Sequence, residues 1–100
     1  MKISVTKRAN RDFLRIQNYL FDHWGNSSVI KFKDRVNDFL DILEIFPEIG
    51  SIEVPEKSIR GFQLNSHIRI FYTVENDSLV IHSFFNVLQN SDKKNLRNKN

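Results

Sequence analysis

Seven polar side chains between residues 60 and 86 are of types that do chemistry: Arg60, Gln63, His67, Arg69, Tyr72, His82 and Asn86. Arg60 and Arg69, placed on adjacent strands and converging on one patch, would suit phosphodiester cleavage, where fixed cations stabilise developing charge. His67 and His82 titrate near neutrality when unperturbed and so suit proton transfer, and Tyr72 offers a phenol. Each also has a plainer reading. The arginines would then face solvent and pair with nearby glutamates. The histidines would be satisfied beside phenylalanines, and Tyr72 would sit at the core edge with its hydroxyl at the rim.

Other chemistries find no pattern to carry them. The three histidines, at 23, 67 and 82, lack metal-ligand spacing, and the three scattered glycines make no phosphate-cradling loop. There is no cysteine for a thiolate nucleophile and no nucleophile-elbow phrase around any serine. Neither a metal nor a cofactor is expected.

A second cluster has binding rather than catalytic character. Lys7, Arg8, Arg11 and Arg15 fall on the side of a first helix opposite its apolar stripe. Cations in a first helical turn oppose the helix dipole, at about 0.3–1 kcal/mol each when exposed. Charge placed against local stability points to an anionic partner; a merely solvated face is the alternative. Leu14 and Phe21, seven residues apart, form a smaller apolar line suited to a partner segment or the tail.

The elements that position these groups follow from periodicity. "KISV" is a short first strand, and Thr6 offers an N-cap oxygen. Ala9, Phe13, Ile16, Leu20 and Trp24 then fall within about 80° of arc, one helical stripe, and Gly25 stops that helix. Asn26, Ser27 and Ser28 supply caps for a second helix. Its apolar positions are Val29, Phe32, Val36, Phe39, Leu40, Leu43 and Phe46, extended by Ile42 and Ile45, and Pro47 ends it.

Residues 47–57, "PEIGSIEVPEK", read as a crossing loop. The period then changes to two: "SIRGFQLN", "HIRIFYTV" and "LVIHSFFNVL" are strands, with "ENDS" as a turn, and the second puts Ile68, Ile70, Tyr72 and Val74 on one face and His67, Arg69, Phe71 and Thr73 on the other. The expected fold is α+β: a short N-terminal strand, then an antiparallel helical hairpin packed on one face of a three-to-four-stranded antiparallel sheet. One domain spans 1–90, and the basic segment 91–100 reads as a disordered tail.

Composition agrees with one intracellular domain. The chain has 100 residues, 40% hydrophobic with nine Phe, enough for a single core. Absence of cysteine fits a reducing cytoplasm, and no secretory leader pattern or membrane-length apolar stretch is present. The net charge of +3 is unevenly spread. Residues 1–46 hold eight Lys/Arg against six Asp/Glu, residues 47–89 three against five, and residues 90–100 four against one. The sheet region is therefore mildly acidic and the basic surplus sits at the two ends.

Taken together, several phrases resemble the RelE/ParE superfamily of toxins from bacterial type II toxin–antitoxin systems. They are "FLRIQNYLFDHWG", "FKDRVNDFLDILEIFPEIG", "IRGFQ", "HIRIFYTVENDSLVIHSFF" and "NVLQN", spanning roughly residues 3 to 91. The resemblance implies a cytoplasmic toxin that binds the extended C-terminal segment of a cognate antitoxin in a hetero-oligomer. Members of the RelE branch cut messenger RNA on the ribosome without metal; members of the ParE branch act on DNA gyrase.

Relatives commonly carry arginine where this chain has Gln63, Thr73 and Leu88, and Asp or His where Asn86 stands. Electrostatic groups in catalytic sites are each worth about 10²–10³ in rate. Three missing guanidinium groups therefore favour a ParE-like toxin that acts by binding a protein target. The competing readings are a RelE-like endoribonuclease using Arg60 and Arg69 with His67, His82 or Tyr72, and a degenerate antitoxin-binding member. For the partner, the chain offers Lys7, Arg8, Arg11, Arg15, Leu14 and Phe21, with Asn86 and Gln89 in the closing phrase. An acidic segment with spaced apolar anchors would match them.

Overall fold

A computed structural model describes residues 1–89; the expected basic tail, 91–100, lies outside the described residues. The order is β1 (Lys2–Val5), α1 (Lys7–Trp24), α2 (Asn26–Ile45), β2 (Ser51–Val54), a 3-10 turn (Pro55–Lys57), β3 (Ile59–Gln63), β4 (Ile68–Glu75) and β5 (Ser78–Asn86). None of the helices in this region is long and apolar enough to cross a membrane.

Thr6 starts α1 as its sequence position suggests: its Oγ1 accepts the Ala9 N–H at 3.0 Å. Ala9 and Ile16 are buried, and Phe13 and Leu20 pack against the core. The Gly25 N–H closes the helix on the Phe21 carbonyl at 2.9 Å. Its φ of 81° is strained for any residue with a Cβ. The next residue already opens α2, so Asn26, Ser27 and Ser28 lie inside the new helix rather than before it.

The face of α2 against the sheet is Val29, Phe32, Val36, Phe39 and Leu43, repeating every three or four residues. Phe13 ties the two helices to β5, its ring centroid 5.1 Å from Phe32 and 5.8 Å from Phe84. Phe39 stacks obliquely on Phe62 at 4.5 Å. Three members of the expected stripes stay outside: Trp24 is 55% exposed, Ile45 72% and Phe46 63%. Trp24 ends α1 and packs on Tyr19 and His23 instead of the sheet. Ile45 and Phe46 line a surface pocket with Pro47, Glu48 and Ile49.

The sheet has five strands in the order β1-β5-β4-β3-β2 and is mixed, where three to four antiparallel strands were expected. β1 joins β5 in parallel, Lys2 opposite Ser78 and Val5 opposite Ile81. The expected crossing loop contains β2, antiparallel to β3 and carrying a bulge between Ile52 and Val54. β4 matches its alternation: Ile68, Ile70 and Tyr72 are buried towards the helices, whereas Arg69, Phe71 and Thr73 take the outer face. Between Phe71 and Tyr72 the pairing with β5 shifts by one residue, leaving His82 as the extra one.

Two contacts hold this frame where the chain would otherwise leave polar backbone unpaired. Tyr72 is fully buried, and its hydroxyl accepts the Gly50 N–H at 2.8 Å instead of reaching the rim. A Cβ at Gly50 would come within 2.8 Å of that hydroxyl and of the Gly61 carbonyl, so only glycine fits. The second contact is at β5. β1 covers its edge only as far as Ile81. Beyond that, Thr6 Oγ1 donates to the His82 carbonyl at 3.0 Å, and Asp12 Oδ2 accepts the Phe84 N–H at 3.1 Å.

Both contacts predict measurable losses. Tyr72→Phe should destabilise by about 1–3 kcal/mol, the range for an orphaned buried donor, read by urea unfolding. Burial pushes the Tyr72 pKa above its ordinary 10.0, so the fold favours the neutral phenol. The linked stability is complete below pH 10 and declines as pH rises through the raised value. Tyr72→Phe should therefore flatten the alkaline part of the stability–pH curve. Asp12→Ala should cost about 1.5–3 kcal/mol, the range for a hydrogen bond to a charged group. Asp12→Asn should lose less, because an acceptor remains; equal stability of all three would remove the edge role given to Asp12.

Candidate partner-binding site

The five side chains with catalytic potential do not converge. Arg60 pairs opposite Tyr72 and so takes the helix-facing side of β3, whereas Arg69 pairs opposite Gln63 on the outer face. Both are occupied. Arg60 Nη1 donates to the Gly50 carbonyl at 2.7 Å and the Glu48 carbonyl at 3.1 Å, and its other end pairs with the Glu48 carboxylate at 3.4 Å. Arg69 forms an ion pair with Glu53 and donates to Gln63 Oε1 at 2.9 Å.

The remaining candidates are dispersed too. Tyr72 is sealed under Gly50. His82 Nε2 lies 2.8 Å from the Thr73 hydroxyl. His67 lines a separate, largely apolar cavity of about 250 Å³ with Leu20, Trp24, Phe32 and Leu88. Among the described residues no three His, Asp or Glu side chains group as metal ligands would.

The cations of α1 are placed differently. The first turn of this helix contains no acid, and the only ion pair formed by its basic residues within the described region is Arg8 with Asp12, loose at 3.9 Å. Lys7, Arg8, Arg11 and Arg15 are all exposed, as are Leu14 at 49% and Phe21 at 56%. At 100° per residue Leu14 and Phe21 lie within about 20° of each other, flanking the basic stripe. An exposed cationic stripe beside an exposed apolar line suits an amphipathic, acidic partner segment.

The closing phrase joins this surface. Asn86 is 3% exposed; its Oδ1 accepts the Leu88 N–H at 3.2 Å, turning the chain out of the sheet over residues 87–89. Its Nδ2 donates to Gln89 Oε1 at 3.0 Å, and Gln89 Nε2 reaches the Arg15 carbonyl at 3.3 Å. Arg8, Arg15, Asn86 and Gln89, far apart in sequence, therefore line one cavity together. Sequence reasoning missed Asp12, the carboxylate inside the basic stripe. Its only signal was an acid at the one position of that run flanking the buried side.

A family model described as the ParE toxin of the type II toxin–antitoxin system parDE matches residues 3–92. No curated protein matches the sequence significantly. The fold is similar to a chain of the chromosomal ParDE TA system from P. aeruginosa, with TM-score 0.71 and 19% identity, over 87% of this chain and 96% of that one. It is also similar to the YoeB/ParE toxin from Agrobacterium tumefaciens, with TM-score 0.61 and 13% identity, over 86% and 98%. At these identities the structural likeness speaks for the fold, and the sequence model for the family. This chain belongs to the ParE toxin family of type II toxin–antitoxin systems.

Proposed function

We propose that the protein is a growth-inhibiting toxin that acts in the cytoplasm by binding a protein target of the gyrase type. A cognate antitoxin, bound along α1, neutralises it. One observation carries the choice of binding over cleavage: the two sheet-borne arginines sit on opposite faces, each engaged by a glutamate of the same chain. A guanidinium paired with a carboxylate contributes little positive potential to an incoming phosphate. Tyr72, buried and hydrogen-bonded, is withdrawn from solvent proton transfer. For the partner, the support is the exposed basic stripe with Leu14 and Phe21 beside it. Antitoxin segments that fold on binding exchange ordering entropy for such spread contacts.

Two experiments test the halves separately. Purified protein added to a translating extract should leave messenger RNA intact while abolishing supercoiling by purified DNA gyrase; codon-spaced transcript cleavage would overturn the target assignment. For the partner, the antitoxin to express is a short neighbouring reading frame that encodes a DNA-binding fold with an acidic tail. Arg8→Glu, Arg11→Glu and Arg15→Glu together should weaken its binding by about 10²-fold or more at low salt. The triple variant should also flatten the dependence of affinity on ionic strength. Unchanged affinity at low salt would exclude the stripe as the antitoxin surface.

A further inference from the structure

Between α1 and the far half of β5 lies a cavity of about 190 Å³ with two unlike walls. Arg8, Asp12 and Arg15 line the helix side; Phe71, Ser83 and Phe85 line the sheet side. Asp12 is engaged with the Phe84 N–H and loosely with Arg8. Arg15 has no carboxylate within ion-pairing distance among the described residues, and the Ser83 hydroxyl has no hydrogen-bond partner among them. Two guanidinium groups and one carboxylate leave the cavity with a net charge of +1. Its fixed charges are thus one anion short of balance.

Size limits what that anion is. Sites for whole small molecules run to about 300–1,000 Å³, so this cavity admits one oxyanionic group on a short stem. We infer that it receives the carboxylate of a single Asp or Glu side chain from a peptide, with the neighbouring apolar residue resting on Phe71 and Phe85. Arg15 supplies a two-pronged donor that matches a carboxylate, and the Ser83 hydroxyl supplies a third. A phosphodiester has the same charge, but in a nucleic acid it brings neighbours that each call for a cation of their own. The sheet side offers them phenyl rings, and Phe85 is 42% exposed. The inference rests on the partner-binding reading for the source of the carboxylate. The probe below contains no partner, so failure of the cavity and failure of that reading register separately.

The test is a titration of the isotope-labelled full chain with the dipeptide Ac-Glu-Leu-NH2 at constant ionic strength, followed by amide NMR. Saturable shifts at Ser83, Phe84 and Phe85 are expected, with a dissociation constant on the order of 1–10 mM, the strength of one or two charge-assisted hydrogen bonds. Arg15→Gln, at an exposed helical position, should keep the dispersed spectrum and weaken binding tenfold or more. Arg8→Gln should weaken it less, and Lys57→Gln, remote from the cavity, not at all. The inference is overturned if Ac-Gln-Leu-NH2 gives the same shifts, or if Arg15→Gln binds as the wild type does. Tighter binding of tetrauridylate than of the glutamyl probe would overturn it as well, by assigning the cavity to nucleic acid.

Discussion

β5 is longer than the strand that covers it, and the placement of α1 follows from that mismatch. Nine residues of β5 meet four of β1, so the edge past Ile81 would be left open. Open strand edges invite pairing with other chains, and half-buried backbone donors need partners. The chain meets this by sending α1 along the open edge: Thr6 binds the His82 carbonyl and Asp12 takes the Phe84 N–H. A helix held there has no freedom to rotate its basic stripe elsewhere. Arg8 and Arg15 are therefore fixed beside the end of β5, where Asn86 turns the chain and Gln89 returns to the Arg15 carbonyl.

The helix termini show which forces the hairpin depends on. α1 opens on Lys7 and Arg8 with no acid in its first turn, and α2 closes on Glu44 with no base in its last. Each such end opposes its own dipole, by about 0.3–1 kcal/mol per exposed charge. Against this, α2 alone buries five apolar side chains, each worth about 1.5–3 kcal/mol. Packing exceeds the terminal electrostatics several-fold, so the ends tolerate charges that stability does not favour. That tolerance leaves the first turn of α1 open to selection for binding.

Where the sequence carried a local signal, the fold was legible. Thr6, the 3.6-residue stripes and Gly25 gave both helices, and strict alternation gave β4 with the correct residues inward. The misreadings in the sheet share a cause: each depended on pairing with a distant segment. β2 lies between two prolines and has no buried residue to mark it; its strand character comes from pairing with β3. Arg60 and Arg69 read as convergent because neither strand by itself carries the register of the hairpin. With Gln63 opposite Arg69, Arg60 stands three residues away, an odd step that turns it to the other face. The bulge in β5 had a faint trace, since its inward residues run Leu79, Ile81, then Phe84 and Asn86, a step of three in a period of two. Tyr72 was placed on the inward face by its period, but its depth depended on Gly50, twenty-two residues away.

Availability of the cations, rather than their number, separates the two surfaces. The sheet retains two arginines, yet Arg60 is spent on the Glu48–Gly50 backbone and Arg69 on Glu53 and Gln63. These pairs stabilise β2 and the loop before it, and in doing so they quench the potential that an anionic substrate would meet on that face. On α1 the relation is reversed: within the described residues Arg15 has no acidic partner and Arg8 has only a shared one. A guanidinium left without a carboxylate keeps its donors and its desolvation cost in hand until a partner arrives. The same residue type thus serves as an internal brace on the sheet and as an open contact on the helix, and the position of the nearest glutamate or aspartate decides which.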